Sequence, residues 1–140
     1  MVVLASKIGI DLGTSRTRIV TARRGLVLDE PSVVARDKES GKIVAVGEEA
    51  FAMVGKTPET LVTDHPLKRG VIADFGAASK MLRLFLSSST GRFKARKPVV
   101  MISVSMTATS TEQRAVVDTA LGAGAQKVHL IQPPVAAALG

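Results

Sequence analysis

Ile8-Gly9-Ile10-Asp11-Leu12-Gly13-Thr14-Ser15 is the stretch whose reading decides the fold: a carboxylate closes an apolar strand and a Gly-Thr-Ser turn follows at once. Gly13 lets the backbone come close to a ligand and present its N–H groups, and Thr14 and Ser15 add hydroxyl donors. Turn amides of this kind cradle phosphate oxygens. Asp11 repels phosphate, so its role beside one is to hold Mg²⁺, through water because that ion gives up its hydration shell reluctantly. Taken alone, the same residues are equally an ordinary hairpin turn with Asp at the strand end. The chain contains neither a P-loop nor a G-x-G-x-x-G pattern.

Working outward, residues 7–11 and 17–21 read as strands on either side of this turn. Arg23-Arg24-Gly25 makes a second tight turn into a strand over 26–28, which completes a meander. Residues 32–36 and 43–46 are two more strands around a polar loop at 37–42. Residues 47–54 have helical spacing and stop at Gly55, with Pro58 beyond. Residues 60–74 read as irregular or extended, punctuated by Pro66 and Gly70. Met81, Leu82, Phe85 and Leu86 repeat at helical spacing, so 75–88 is a long helix with Asp74 as its N-cap. The apolar run over 99–104, bounded by Pro98, predicts a strand covered on both faces. Ser110 and Gln113 fit a capping box for a second long helix that ends in Gly122-Ala123-Gly124. A strand over 128–131 and an Ala-rich helix start over 134–139 follow. The order is β-β-β, a small β/α insertion, then α-β-α-β-α. That order gives an α/β fold with one mixed sheet and helices on its faces.

Composition narrows the function classes. The 140 residues suffice for one domain, which at this size buries roughly two-thirds of the surface its unfolded chain exposes. A mix of 46% hydrophobic and 22% charged residues excludes a disordered or collagen-like chain. The absence of cysteine excludes a disulfide scaffold and any Cys-based metal site or nucleophile. His65 and His129 are far apart, which argues against zinc; the first reads as loop, the second as a core or sheet-edge residue. No apolar run approaches the ~20 residues of a membrane span. The opening residues 1–6 are too short and uncharged for a signal peptide, so the expected location is the cytoplasm. With four Phe and no Trp or Tyr, the core must be aliphatic.

The net charge of +7 is localised. Between Asp74 and Glu112 there is no acid, but there are Lys80, Arg83, Arg92, Lys94, Arg96 and Lys97, which leaves 13 basic against 12 acidic residues elsewhere. The loop over 90–97 sets Phe93 between Arg92 and Lys94, with Arg96 and Lys97 beyond. An aromatic flanked by cations suits an anionic membrane surface, each cation contributing about 1 kcal/mol near it. A solvated basic loop whose Phe folds back on the core fits the same residues equally well. Nucleic acid is disfavoured, because no platform of stacking aromatics accompanies the charge.

Ile8-Gly9-Ile10-Asp11-Leu12-Gly13-Thr14 resembles the first phosphate loop of the actin, Hsp70 and sugar-kinase superfamily. The longer pattern resembles the bacterial actins of the MreB/Mbl family, over about residues 7–140. It includes Glu30-Pro31-Ser32-Val33-Val34-Ala35 and Ala45-Val46-Gly47-Glu48-Glu49-Ala50. It continues through Pro66-Leu67-Lys68-Arg69-Gly70-Val71-Ile72-Ala73-Asp74-Phe75, where the family usually has Asp before the Gly. It closes on Thr111-Glu112-Gln113-Arg114-Ala115-Val116 and on residues 134–140. The resemblance implies an actin-like ATPase domain built on a ribonuclease H-like, five-stranded mixed sheet. Residues 1–30 and 75–140 would form a subdomain IA and residues 31–74 a subdomain IB. It also implies ATP with Mg²⁺ as ligand, phosphate contacts from Asp11, Gly13, Thr14, Ser15 and Arg16, filament subunits as partners, a role in cell shape, and attachment at the inner face of the membrane.

Three departures bear on activity. Full-length members are more than twice as long, and the second domain with its adenosine pocket is expected to be absent here. A one-sided phosphate contact loses most of the burial that makes a pocket, so the expectation is weak ATP binding or none. The family's Glu-Glu-Pro after the last strand is Gln132-Pro133-Pro134 here, and Pro133 has no acceptor with which to position water. Arg16 stands where the family usually has Asn; it meets phosphate by charge or is an exposed turn cation. The expected function is therefore a truncated or degenerate MreB-like interaction module that associates with filament subunits or with itself and does not hydrolyse ATP. The alternatives are an N-terminal fragment of a filament-forming, rod-shape-determining ATPase, and a basic membrane-surface binding domain.

Overall fold

In β1 (Lys7–Leu12) the alternation is strict: Ile8, Ile10 and Leu12 are buried while Lys7 and Asp11 are exposed. The computed structural model describes residues 6–56, 58–90 and 97–132. Within them β1 is the middle of a five-stranded mixed sheet with order β10-β9-β1-β2-β3. It pairs antiparallel with β2 (Arg16–Thr21), and β2 pairs antiparallel with β3 (Gly25–Pro31), which is the expected meander. On its other side it pairs parallel with β9 (Val99–Ser103), which pairs parallel with β10 (Lys127–Ile131).

Two helices cover one face of this sheet. In α2 (Phe75–Thr90) Met81, Leu82, Phe85 and Leu86 are buried, as their spacing predicts. They pack with Ile8, Ile10, Ile19, Val100 and Ile102, and with Ala120 of α3 (Ser110–Gly122). The core is aliphatic apart from Phe85. Among the described residues the opposite face stays open, with Val20 44% and Met101 46% exposed. Among the described residues the strand over 99–104 is therefore covered on one face, not on both as expected.

Two arginines serve helix ends. The Arg24 guanidinium donates to the Ser89 carbonyl in the last turn of α2. Arg83 donates to the Gly122 carbonyl that ends α3, at 2.5 Å. Both put a cation where helix carbonyls lack partners. The capping box of α3 is formed by Thr109 and Glu112, one residue earlier than Ser110 and Gln113. Thr109 has the extended backbone an N-cap needs, whereas Ser110 is already helical. Asp74 caps α2 as expected, accepting the Ala77 N–H at 3.0 Å.

The segment between β3 and α2 is a smaller unit. A three-stranded sheet of order β5-β4-β6 comprises β4 (Val34–Asp37), β5 (Ile43–Val46) and β6 (Leu61–Asp64). Val33, Ala35, Ala45 and Ala50 form its own small core, which includes the short α1 (Gly47–Phe51). A two-stranded hairpin follows, β7 (Leu67–Lys68) and β8 (Val71–Ile72). Residues 60–74 are thus more ordered than the sequence suggests. Pairing of β6 with β4 is a long-range contact that local composition does not display. The helix start over 134–139 and the residues Arg92, Phe93, Lys94, Arg96 and Pro133 lie outside the described residues.

Two positions make this architecture testable. Gly47 sits at φ +64, and a Cβ there would meet the Glu30 carboxylate at 1.8 Å. That carboxylate also accepts the Glu48 N–H at 3.1 Å. Gly47→Ala should destabilise the protein by about 1–3 kcal/mol, from the left-handed backbone and the clash together, read as a lower urea midpoint. Asp74 is held below the ordinary carboxylate range by the Ala77 N–H and by Arg36, whose Nη2 lies 2.5 Å away. A depressed carboxylate contributes stability above its unfolded pKa and loses it as pH falls through the folded one. Asp74→Asn should lower Tm at pH 7 and flatten the fall of Tm with acidification below about pH 4. A fall as steep as in the parent would contradict the assignment.

Candidate functional site

The parallel strands β1, β9 and β10 all run toward one end of the sheet, and ligands in open α/β sheets bind at such carboxyl ends. Asp11, Ser103 and Gln132 stand there. Asp11 is exposed because the pleat turns it away from the helix-covered face. Its Oδ1 accepts the Ser103 hydroxyl at 3.2 Å, and its Oδ2 is 3.6 Å from Arg18. Among the described residues no three His, Cys, Asp or Glu side chains gather closely enough to chelate a metal ion. A cation at this end would be held by Asp11 with water in its other positions.

The turn after Asp11 is tight. The Gly13 N–H donates to the Arg16 carbonyl at 3.1 Å, and a Cβ on Gly13 would lie 2.7 Å from that same oxygen. Only glycine closes the turn in this form. Thr14 is held from outside: its hydroxyl oxygen accepts the Gly70 N–H at 2.7 Å, and its carbonyl lies 3.3 Å from His65 Nδ1. Having accepted from Gly70, the Thr14 hydroxyl keeps its own proton to donate. Ser15 is exposed, and its carbonyl accepts the Ser32 N–H at 2.9 Å. Just beyond, the buried hydroxyls of Thr17 and Ser32 meet at 2.8 Å, which fixes where β2 begins.

Arg16 is turned toward β3. Its Nε is 2.7 Å from Asp29 Oδ1, its Nη2 donates to the Asp29 carbonyl at 2.9 Å, and Glu48 lies 3.7 Å away. The Arg16 hydrogen bond holds the Asp29 carboxyl below its ordinary range, and Asp29 in turn raises the Arg16 guanidinium. Of the expected phosphate set, Asp11, Gly13, Thr14 and Ser15 lie together at the strand end, while the Arg16 side chain is engaged elsewhere. Of the membrane-surface set, Lys97 alone is described, and it is exposed.

A cavity of about 620 Å³ opens beside the turn, walled by Asp11, Arg69, Gly70, Ser103, Ser105 and Glu112 among others. Sequence reasoning missed Arg69 and Ser103. The signals were present: Arg where the resembled pattern carries Asp before Gly, and a serine at the carboxyl end of a strand parallel to β1. The cavity and the adjacent turn have the polarity and the donors for a Mg²⁺-bound phosphate chain, so the residues present fit that group.

The family model of the MreB/Mbl protein matches residues 5–140. The cell shape-determining protein MreB of Haemophilus influenzae is 47% identical, over 97% of this chain and 40% of its own length. The cell shape-determining protein Mbl of Bacillus subtilis is 46% identical, over 97% of this chain and 41% of its own length. The chain therefore spans about 40% of the length of these curated relatives. Among solved structures, MreB 5 of Spiroplasma citri bound to AMPPNP superposes with a TM-score of 0.85 at 30% identity, covering 98% of this chain and 41% of that one. A MamK double helical filament shares the fold, with a TM-score of 0.79 at 23% identity over 94% of this chain and 42% of that one. By family model, sequence identity and actin-like fold alike, this chain belongs to the MreB/Mbl family of cell shape-determining actin homologues.

Proposed function

We propose that this chain provides one wall of a Mg²⁺-nucleotide phosphate site and acts as an MreB-like assembly module in cell-shape determination. The observation that carries this reading is the turn from Asp11 to Ser15, set at the carboxyl ends of parallel strands in a fold that superposes on an AMPPNP-bound relative. The Thr14 and Ser15 amides and the Thr14 hydroxyl meet phosphate oxygens, Gly13 closes the turn through its own N–H to Arg16, and Asp11 holds Mg²⁺ through water. Arg16 braces the turn against β3 rather than meeting phosphate. The five-stranded sheet with α2 and α3 corresponds to subdomain IA, over residues 1–30 and 75–140. The smaller sheets with α1 correspond to subdomain IB, over residues 31–74.

A bound Mg²⁺-nucleotide would supply the phosphate oxygens that these turn donors meet. Taken by themselves, residues 1–140 provide one wall of such a site and bind ATP weakly or not at all. Pro133 offers no side-chain acceptor to orient water, so the chain by itself does not hydrolyse ATP. Its partners are then MreB-like filament subunits or further copies of itself; filament assembly by MamK, a relative in fold, supports the idea.

A second reading, peripheral attachment to an anionic membrane at its cytoplasmic face, is favoured by one observation. Lys7, Arg23, Lys97 and Lys127 are exposed at the end of the sheet opposite Asp11, and among the described residues none is in an ion pair. They adjoin, in sequence or register, the expected basic loop. No helix among the described residues is long and apolar enough to cross a membrane. Nucleic acid remains disfavoured as a partner.

Calorimetric titration with Mg-ATP should give a dissociation constant no tighter than millimolar, and phosphate release should stay at background. The chain should co-sediment with filaments of a full-length MreB/Mbl protein in the presence of ATP. Micromolar nucleotide binding or measurable turnover would overturn the non-catalytic reading, and absence from the filament pellet would overturn the assembly role. For the membrane reading, the chain should pellet with anionic but not neutral vesicles. Phe93→Ser combined with Gln at Arg92, Lys94, Arg96 and Lys97 should abolish this, and unchanged pelleting would remove the proposal.

A further inference from the structure

We propose that Arg69 is a phosphate-recognition residue of this site, supplying from the β7–β8 hairpin the positive charge that Arg16 does not. The inference rests on the reading of the turn from Asp11 to Ser15 as a phosphate turn. In the hairpin Leu67 pairs with Ile72 and Lys68 with Val71, which leaves Arg69 and Gly70 as its two-residue tip. Both have positive φ, +54 and +76. Arg69 is the one non-glycine residue in that conformation among those described. Tips of this type favour Asn or Asp before Gly, whose short polar side chains tolerate the left-handed region. An arginine there is locally costly, and the resembled family pattern has Asp, so its presence reverses the charge at this point.

The tip is fixed on the phosphate turn. Gly70, next in sequence, donates its N–H to the Thr14 hydroxyl oxygen at 2.7 Å. Arg69 shares the cavity wall with Asp11, Ser103 and Ser105, and among the described residues it is the one cation lining that cavity. The acids there are otherwise engaged. Glu112 accepts the Thr109 N–H at 3.0 Å in the capping box. Asp11 has Ser103 and Arg18 as neighbours, at 3.2 and 3.6 Å. Among the described residues Arg69 makes no ion pair within 4.0 Å. A guanidinium presents paired N–H donors that match two phosphate oxygens at once. The Thr14 and Ser15 amides and Arg69 therefore approach a phosphate chain from two sides, with Asp11 placed for the accompanying Mg²⁺.

The test is an amide NMR titration of the chain at low ionic strength, with inorganic pyrophosphate and, separately, with Mg-ATP. The parent, Arg69→Lys, Arg69→Gln and Arg69→Asp are compared, each first checked for a spectrum as dispersed as the parent's. In the parent, the Gly13, Ser15 and Gly70 amides should shift with both ligands. Arg69→Asp should weaken that binding by about tenfold or more, the size of one lost charge-assisted contact, Arg69→Gln by less, and Arg69→Lys least. Equal affinity in the parent, Arg69→Gln and Arg69→Asp would overturn the role of Arg69 and leave the phosphate turn standing. No shift at Gly13 and Ser15 in the parent, even at pyrophosphate concentrations well above millimolar, would overturn the phosphate turn and this proposal with it.

Discussion

Everything in this molecule depends on the pairing of β1 on both edges, antiparallel to β2 and parallel to β9. A strand bonded on both sides cannot slip in register without turning its buried side chains to water. Ile8, Ile10 and Leu12 are locked onto α2 and α3, and Asp11 is thereby forced to the other face at the strand's carboxyl end. The same pleat puts Gly9 on the open face, where a Cβ would come within 2.8 Å of Val20 Cγ2. Position in the sheet, not local chemistry, exposes one carboxylate in an otherwise apolar strand.

From that end the turn is organised by contacts remote in sequence. Thr14 is gripped by His65 and Gly70, Ser15 by Ser32, and Arg16 by Asp29 and Glu48. The larger sheet carries the turn and the smaller unit holds it in place. Glu30 and Gly47 belong to two separate sequence motifs, and they meet where the Glu30 carboxylate occupies the space a Gly47 side chain would need. A motif that reads as a string of preferences is in three dimensions a single packing requirement.

Much of this was legible in advance. Helical spacing marked α2, because burial on one face repeats along the chain itself, and tight turns marked the β1–β2–β3 meander. The Gly-Thr-Ser turn was visible because glycine is the only residue that closes it. The β6 strand and the β7–β8 hairpin were not visible, since their partners lie far off in sequence or are two residues long. The capping box was displaced by one residue because Ser and Thr are adjacent and both can cap; backbone geometry chose Thr109.

The sequence by itself determined the sheet's apolar face, the carboxylate at the end of β1, the turn that follows, and the family to which the chain belongs. These follow from residue type and spacing, which act locally. Only the tertiary structure decided which arginine faces the cavity. Arg16 sits inside the motif but is drawn away by the carboxylates of Asp29 and Glu48. Arg69 lies far along the chain, yet its hairpin is fastened to Thr14 and carries it to the cavity wall. A charge acts through distance and partner, and both are properties of the folded chain.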